Sequence, residues 1–197
     1  MTNSPINKDS REELLKTFFQ SCVTGIRSFR ATKPREWMEA KGLSYDELQI
    51  GFSSGQFSHR KSQSFKDKYV RIGILNPSTA AVREPHLKAY TCFGNYAIVF
   101  PLKNEKGIII NLFAIRIDTK TEKEEYLNQE GIYPGYPSPL TRRLYVTSTV
   151  MDAASLLQSK VMENRDAVTS LFNGQLLEQH VQAISKLKHL EEIIFIK

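Results

Sequence analysis

The chain reads as an α+β fold, with a mixed helical and antiparallel β region first and a parallel α/β half at the end. Three observations predict this. Leu14, Leu15, Phe18, Phe19, Cys22 and Val23 recur at helical spacing near the start. Residues 97–102 and 108–117 are apolar runs joined by Lys103-Asn104-Glu105-Lys106-Gly107, a hairpin turn with Gly where positive φ is cheap. From residue 144 to 197, strand and helix patterns alternate in the order strand, helix, strand, helix, strand, as in a small parallel sheet.

Each element has its own signal. Ser10-Arg11-Glu12-Glu13 has the capping-box pattern, in which Ser and Glu satisfy free amides at a helix start, and it opens the first helix. Pro34 suits a first turn and opens a second short helix that presents Trp37 and Met38 and stops at Gly42. Ser44-Tyr45-Asp46-Glu47 repeats the capping pattern and predicts a short turn through Leu48 and Ile50. Residues 51–64 are rich in Gly, Ser, Gln, His and Arg and read as a loop. Residues 69–75 read as a strand, and 76–87 as irregular, exposed chain. The hairpin of residues 97–117 makes the middle of the chain antiparallel. Gly131-Ile132-Tyr133-Pro134-Gly135-Tyr136-Pro137-Ser138-Pro139 is a proline-rich crossover, and the domain boundary falls beside it, dividing 1–140 from 141–197. In the second part, a strand from Leu144 runs through Ser148 into a helix beyond Asp152. A short strand over 166–172, a patterned helix over 175–190 and an apolar strand over 191–197 follow.

Composition narrows the function. At 197 residues the chain can bury a substantial core. Its net charge of +6 and pI near 9.3 make nucleic acid the natural partner to test, because Lys and Arg contacts to phosphate dominate such binding. No apolar stretch approaches the ~20 residues that span a bilayer. The start lacks the features of a secretion signal, so a cytoplasmic protein with no membrane partner is expected. Cys22 and Cys92 are far apart, with no Cys-x-x-Cys or Cys/His ligand spacing nearby. Two buried thiols are expected rather than a disulfide or a zinc site.

Two regions are candidates for chemistry. His59-Arg60-Lys61 with Lys66, Lys68 and Arg71 is the densest basic run, opposed only by Asp67 and interleaved with Phe57, Phe65 and Tyr69. Bases of a single strand could stack on such rings while the cations follow phosphates. The plainer alternative is a solvated charged loop whose aromatics anchor it to the core. The second region is the turn 146–152, because ligands of parallel sheets gather at the carboxyl ends of the strands. Arg142-Arg143 is a weaker basic candidate. His180 and His189 lie nine residues apart, which is not metal spacing on one helix face, and surface or core-edge roles are expected.

The turn 146–152 resembles the first motif of the TOPRIM domain of bacterial primases and topoisomerases. In that family a Glu ends the first strand, an Asp follows four residues later, and an Asp-x-Asp pair ends a later strand, together holding Mg²⁺. Asp152 matches the second acid, Ser148 stands where the Glu belongs, and the strand ending at Ile196 resembles the one that carries the pair. Further pieces recur in the order found in bacterial primases, namely Lys41-Gly42-Leu43, Gly51-Phe52, Phe100-Pro101 with Gly107, Arg116, and Tyr126-Leu127-Asn128. Where the family carries a Lys before Tyr-Leu-Asn, this chain has Glu125.

The resemblance implies a primase-like protein of the type found near bacterial mobile elements, related to RNA primer synthesis on DNA, with the N-terminal zinc ribbon of the family absent. It implies single-stranded DNA or another nucleic acid as ligand, bound by Lys41, Arg60, Lys61, Lys66, Lys68, Arg71 and Arg116. Replication or mobile-element proteins are implied as partners, and Mg²⁺ as cofactor with Asp152 as its ligand. An acid in the first turn of a helix is also favoured by the macrodipole alone, and Ser148 and Thr149 are ready capping residues. The acids missing from the pattern point to a catalytically impaired chain. The alternatives are a non-catalytic single-strand-binding or accessory module, and a fragment whose Asp-x-Asp pair lies beyond Lys197.

Overall fold

The computed structural model describes residues 8–78, 89–118 and 122–196. The fold is α+β, as the sequence predicts. Among the described residues it has five helices and nine strands.

Helix α1 (Lys8–Arg27) starts ahead of Ser10, so the Ser10 pattern falls inside the first turns rather than before them. Its apolar stripe of Leu15, Phe18, Phe19 and Cys22 is buried. Its closing turns lie directly on strand β1 (Gly51–Ser53) because both surfaces carry glycine. A Cβ on Gly25 would stand 2.4 Å from the Phe52 carbonyl oxygen, and one on Gly51 would stand 2.6 Å from Cys22 Cβ. Helix α2 (Thr32–Ala40) has Pro34 in its first turn and ends before Gly42, whose φ of +69° suits glycine.

Two expectations for the next segment fail. Residues 51–64 are not all loop, because β1 occupies their start. Residues 69–75 are not a strand. Helix α3 (Gln63–Arg71) runs through Tyr69, with Ser62 Oγ accepting from the Phe65 amide as N-cap, and only Leu75 enters strand β2 (Leu75–Pro77). The helix wins because Phe65, Tyr69 and Ile72 then fall on one face and meet the core. The remainder of the region expected to be irregular, 79–87, lies outside the described residues. Strand β3 (Tyr90–Cys92) pairs antiparallel with β2.

The hairpin is as expected. Strands β4 (Ala97–Lys103) and β5 (Ile109–Arg116) pair antiparallel with a bulge at Leu102/Lys103. Strand β6 (Lys123–Tyr126), for which the sequence carried no strand signal, adds to β5, completing the order β1-β4-β5-β6. Gly131-to-Pro139 crosses over as irregular chain.

The parallel half also forms. Strand β7 (Arg143–Thr147) is central, flanked by β8 (Asp166–Ser170) and β9 (Glu192–Ile196), both parallel to it. Helix α4 (Val150–Ser159) follows β7. Helix α5 (Glu178–Ser185) is shorter than the 175–190 pattern, because Gln175 bridges to Phe172 and the chain turns again after Ser185. Leu187, beyond that helix, still packs with Leu144, Val146 and Leu171, so apolar spacing outlasts the helix itself. One cluster joins both parts of the chain: Phe100, Leu102 and Phe113 pack with Val150, Ala153, Val168 and Phe172.

Candidate nucleic-acid interface

The turn between β7 and α4 is built by its own polar groups. Thr149 is the N-cap, and its Oγ1 accepts from the Asp152 amide at 3.1 Å. Asp152 Oδ2 accepts from the Thr149 amide at 3.2 Å and from Thr149 Oγ1 at 2.7 Å. Both ends of a capping box are therefore present, and Asp152 serves the helix start. The Ser148 carbonyl accepts from Gly174 N–H at 2.8 Å.

Beside this turn, acidic side chains act on one another. Partial burial, with Glu122 and Asp152 adding negative charge, raises the pKa of the otherwise exposed Glu124 carboxyl. Glu122 reaches across to α2, where it accepts from Trp37 Nε1 at 3.0 Å and pairs with Lys41 Nζ at 3.2 Å. Arg116, at the end of β5, binds both oxygens of Asp118 at 3.1 Å. Lys41 and Arg116 thus already hold carboxylates. Glu125 also has a structural task, accepting from Gly94 N–H at 2.7 Å. Tyr126 stacks between Phe113 and Phe172 with centroids 4.6 and 4.5 Å away, and burial raises its phenol pKa. Asn128 and the buried Asn111 tie β5 to the following loop through side-chain to backbone hydrogen bonds.

The other expected cations lie elsewhere. Arg60 and Lys61 precede α3, while Lys66, Lys68 and Arg71 lie on it, over the cluster that contains Tyr69 and Ile72. Arg60, Lys61, Lys68 and Arg71 are exposed, and Lys66 is half-buried. Lys61 Nζ lies 5.3 Å from the Phe65 ring centroid, and Lys66 Nζ lies 5.5 Å from that of Tyr90. The interleaved aromatics do pack together, with Phe57 4.9 Å from Phe18 and 4.7 Å from Tyr69. Tyr69 is 1% exposed, so a base cannot reach it. The structure therefore separates the α3 ridge from Lys41 and Asp152, which lie with Glu122 and Glu124, and from Arg116, which is paired with Asp118.

The remaining candidates are structural. Arg143 binds Asp166 at 2.8 Å and Glu163 at 2.8 Å, and Arg142 pairs with Glu191. His180 corrects the surface or core-edge expectation, being fully buried. Its Nδ1 accepts from the Leu177 amide at 2.9 Å, and burial lowers its pKa. Cys22 and Cys92 are both buried, and burial raises the Cys22 thiol pKa. Glu122 and Tyr90 carry no motif, and no sequence signal places either one against its partner helix.

Mg²⁺ prefers several oxygen ligands in octahedral array. Among the described residues, no three His, Cys, Asp or Glu side chains converge to hold a metal ion. With Asp152 Oδ2 already engaged in the capping box, these residues do not fit the ion.

No protein family matches the sequence, and no curated protein matches it. Solved structures do match. A DnaG primase catalytic domain bound to ssDNA aligns with TM-score 0.74 at 15% identity, over 95% of this chain and 61% of that one. The RNA polymerase domain of Mycobacterium tuberculosis primase DnaG, in complex with double-stranded DNA, gives 0.74 at 10% identity, over 97% and 64%. The chain has the primase catalytic-core fold. The Escherichia coli primase catalytic core gives 0.70 at 17% identity, over 93% and 61%. The chain spans about three-fifths of the length of these solved structures. On this primase-core scaffold, Lys41-Gly42-Leu43 closes α2, Phe100-Pro101 lies within β4, and Tyr126-Leu127-Asn128 leaves β6. Those last residues are held by packing and backbone hydrogen bonds.

Proposed function

We propose that this chain is a nucleic-acid-binding module on a primase catalytic-core scaffold, related to RNA primer synthesis on DNA and impaired in catalysis on its own. The observation that carries this reading is the match over 95% of the chain to a primase catalytic domain solved with ssDNA. The net charge of +6 supports it.

Single-stranded DNA is the proposed ligand. Arg60, Lys61, Lys66, Lys68 and Arg71 contact its phosphates first, because none of them has an ion pair to break among the described residues. Lys41 and Arg116 contribute only after exchanging Glu122 and Asp118 for phosphate. Exposed pairs of that kind contribute about 0–1 kcal/mol, so the exchange is affordable in the presence of a polyanion. Catalysis is impaired because two-metal phosphoryl transfer needs both ions clamped by carboxylates. Asp152 is instead tied into its helix cap, and Ser148 brings no charge. An accessory role beside replication or mobile-element proteins follows from the same reading, as does a division into subdomains near residue 140.

Fluorescence anisotropy with a labelled single-stranded oligonucleotide across a salt series tests the proposal. Five phosphate contacts give a log–log slope of about −3.5 on single strands. A flat salt response would sink the binding reading. Template-dependent primer synthesis by this chain with Mg²⁺ or Mn²⁺ would sink the impaired-catalysis reading.

A further inference from the structure

We infer that Phe65 and Tyr90 are base-stacking positions for a single strand, each covered in the free protein by a lysine that moves to a phosphate when a base arrives. This rests on the nucleic-acid reading above and assigns its contacts.

The two rings share an arrangement. Each is half-buried, and each has a lysine ammonium over it, Lys61 at 5.3 Å from Phe65 and Lys66 at 5.5 Å from Tyr90. Each ring is held independently of its lysine. Phe65 is fixed by Phe57 and Tyr69, with centroids 5.4 and 4.6 Å away. Tyr90 is fixed through its hydroxyl, which accepts from Gln63 Nε2 at 2.7 Å, while the same amide donates to Asp67 Oδ1 at 2.8 Å. Such rings keep their orientation when the cation leaves. A pre-positioned ring is what stacking requires, and stacking tolerates any base because every base has a π-face.

The lysines are free to leave. A cation–π contact at the protein surface is weakly held, and neither Lys61 nor Lys66 has a carboxylate partner among the described residues. A third lysine shows the contrast. Lys41 also lies over an aromatic ring, 5.4 Å from Trp37, but Glu122 pairs with Lys41 and accepts from Trp37 Nε1. That contact carries a carboxylate partner as well, whereas those on the α3 ridge do not. When a base displaces Lys61 or Lys66, the ammonium remains within reach of the incoming backbone, so the ring takes the base and the cation takes its phosphate.

The test separates ring from charge, using anisotropy of labelled oligothymidylate and of a duplex of the same length. Tyr90→Leu is expected to weaken single-strand binding by roughly 5- to 150-fold with an unchanged salt slope, as stacking losses do. Tyr90→Phe keeps the ring but loses the hydroxyl that Gln63 holds, and is expected to weaken binding less than Tyr90→Leu. Lys66→Ala is expected to make the slope shallower by about 0.7. Phe65→Leu is measured beside a thermal melt, because its ring also packs on Tyr69, and Tyr90 carries the test if Phe65→Leu loses the fold. Unchanged single-strand affinity in Tyr90→Leu would overturn the ring assignment while leaving the nucleic-acid reading intact. Duplex affinity equal to single-strand affinity would do the same. No salt-sensitive binding by the unmodified protein would overturn both.

Discussion

Replacing Asp152 by Ala separates a helix-capping role from a metal-binding role. The substitution removes the acceptor for the Thr149 amide and hydroxyl, at 3.2 and 2.7 Å, together with a negative charge in the first turn of α4. Loss of a capping contact costs typically ~1 kcal/mol. The charge near the helix start adds about 0.3–1 kcal/mol. Two effects oppose this, namely the better helix propensity of Ala by up to ~0.7 kcal/mol and relief of the repulsion between Asp152 and Glu124. The net expectation is a loss of about 1 kcal/mol, or roughly 2–4 °C in Tm for a chain of this size. Thr149→Ala should cost a similar amount. The double substitution should cost less than the two single losses together, because both act on one capping box. The assay is thermal and urea unfolding with and without millimolar Mg²⁺. The capping account predicts the same loss in both conditions. It is refuted if Asp152→Ala leaves the metal-free protein unchanged while abolishing a Mg²⁺-dependent rise in Tm that the unmodified protein shows.

Three further outcomes are expected. Gly25→Ala should destabilise by about 1–3 kcal/mol despite the higher helix propensity of Ala, because its Cβ would stand 2.4 Å from the Phe52 carbonyl; a more stable variant in urea unfolding would show that α1 does not approach β1 so closely. Burial lowers the pKa of His180 from 6.5, so the unfolded chain takes up a proton before the folded one does as pH falls through 6.5. The associated stability is complete above that pH and is lost progressively below it, and unfolding free energies of His180→Gln against pH should lack this component; equal pH slopes for the two proteins would contradict it. Glu125→Lys should lower stability by about 1 kcal/mol by removing the acceptor for Gly94 N–H, while Glu125→Gln retains most of it, and calorimetric melts of the two would expose the error if they agree.

Legibility followed the length and burial of each element. The strands β4 and β5 could be read because their apolar runs are buried for most of their length. The alternation from β7 to β9 was equally clear, and the parallel order with β7 in the centre follows it. β1 and β6 were not legible. β1 has three residues, too few to show a period, and β6 is Lys-Glu-Glu-Tyr, a polar run that is a strand only because β5 offers it an edge. The stretch near Tyr69 looked like a strand because Tyr, Val and Ile favour that state locally. The Ser62 cap and the shared core face of Phe65, Tyr69 and Ile72 favour a helix more strongly. In the candidate site, the sequence marked Asp152, Arg116 and the basic run as residue types. It carried no sign that Glu122 reaches Lys41 and Trp37, since those residues lie 81 and 85 positions away.

The sequence by itself determined the α+β class, the hairpin, the parallel half and the strand-to-helix turn at Asp152, because each depends on local periodicity and capping chemistry within a few residues. Only the tertiary structure decided which charges are free. Asp152 is closed into a cap, Lys41 and Arg116 already face Glu122 and Asp118, and Lys61 and Lys66 lie over aromatic rings without a carboxylate partner among the described residues. Availability of a charge depends on what the fold brings within about 4 Å of it, and Coulomb attraction at that range takes no account of separation along the chain.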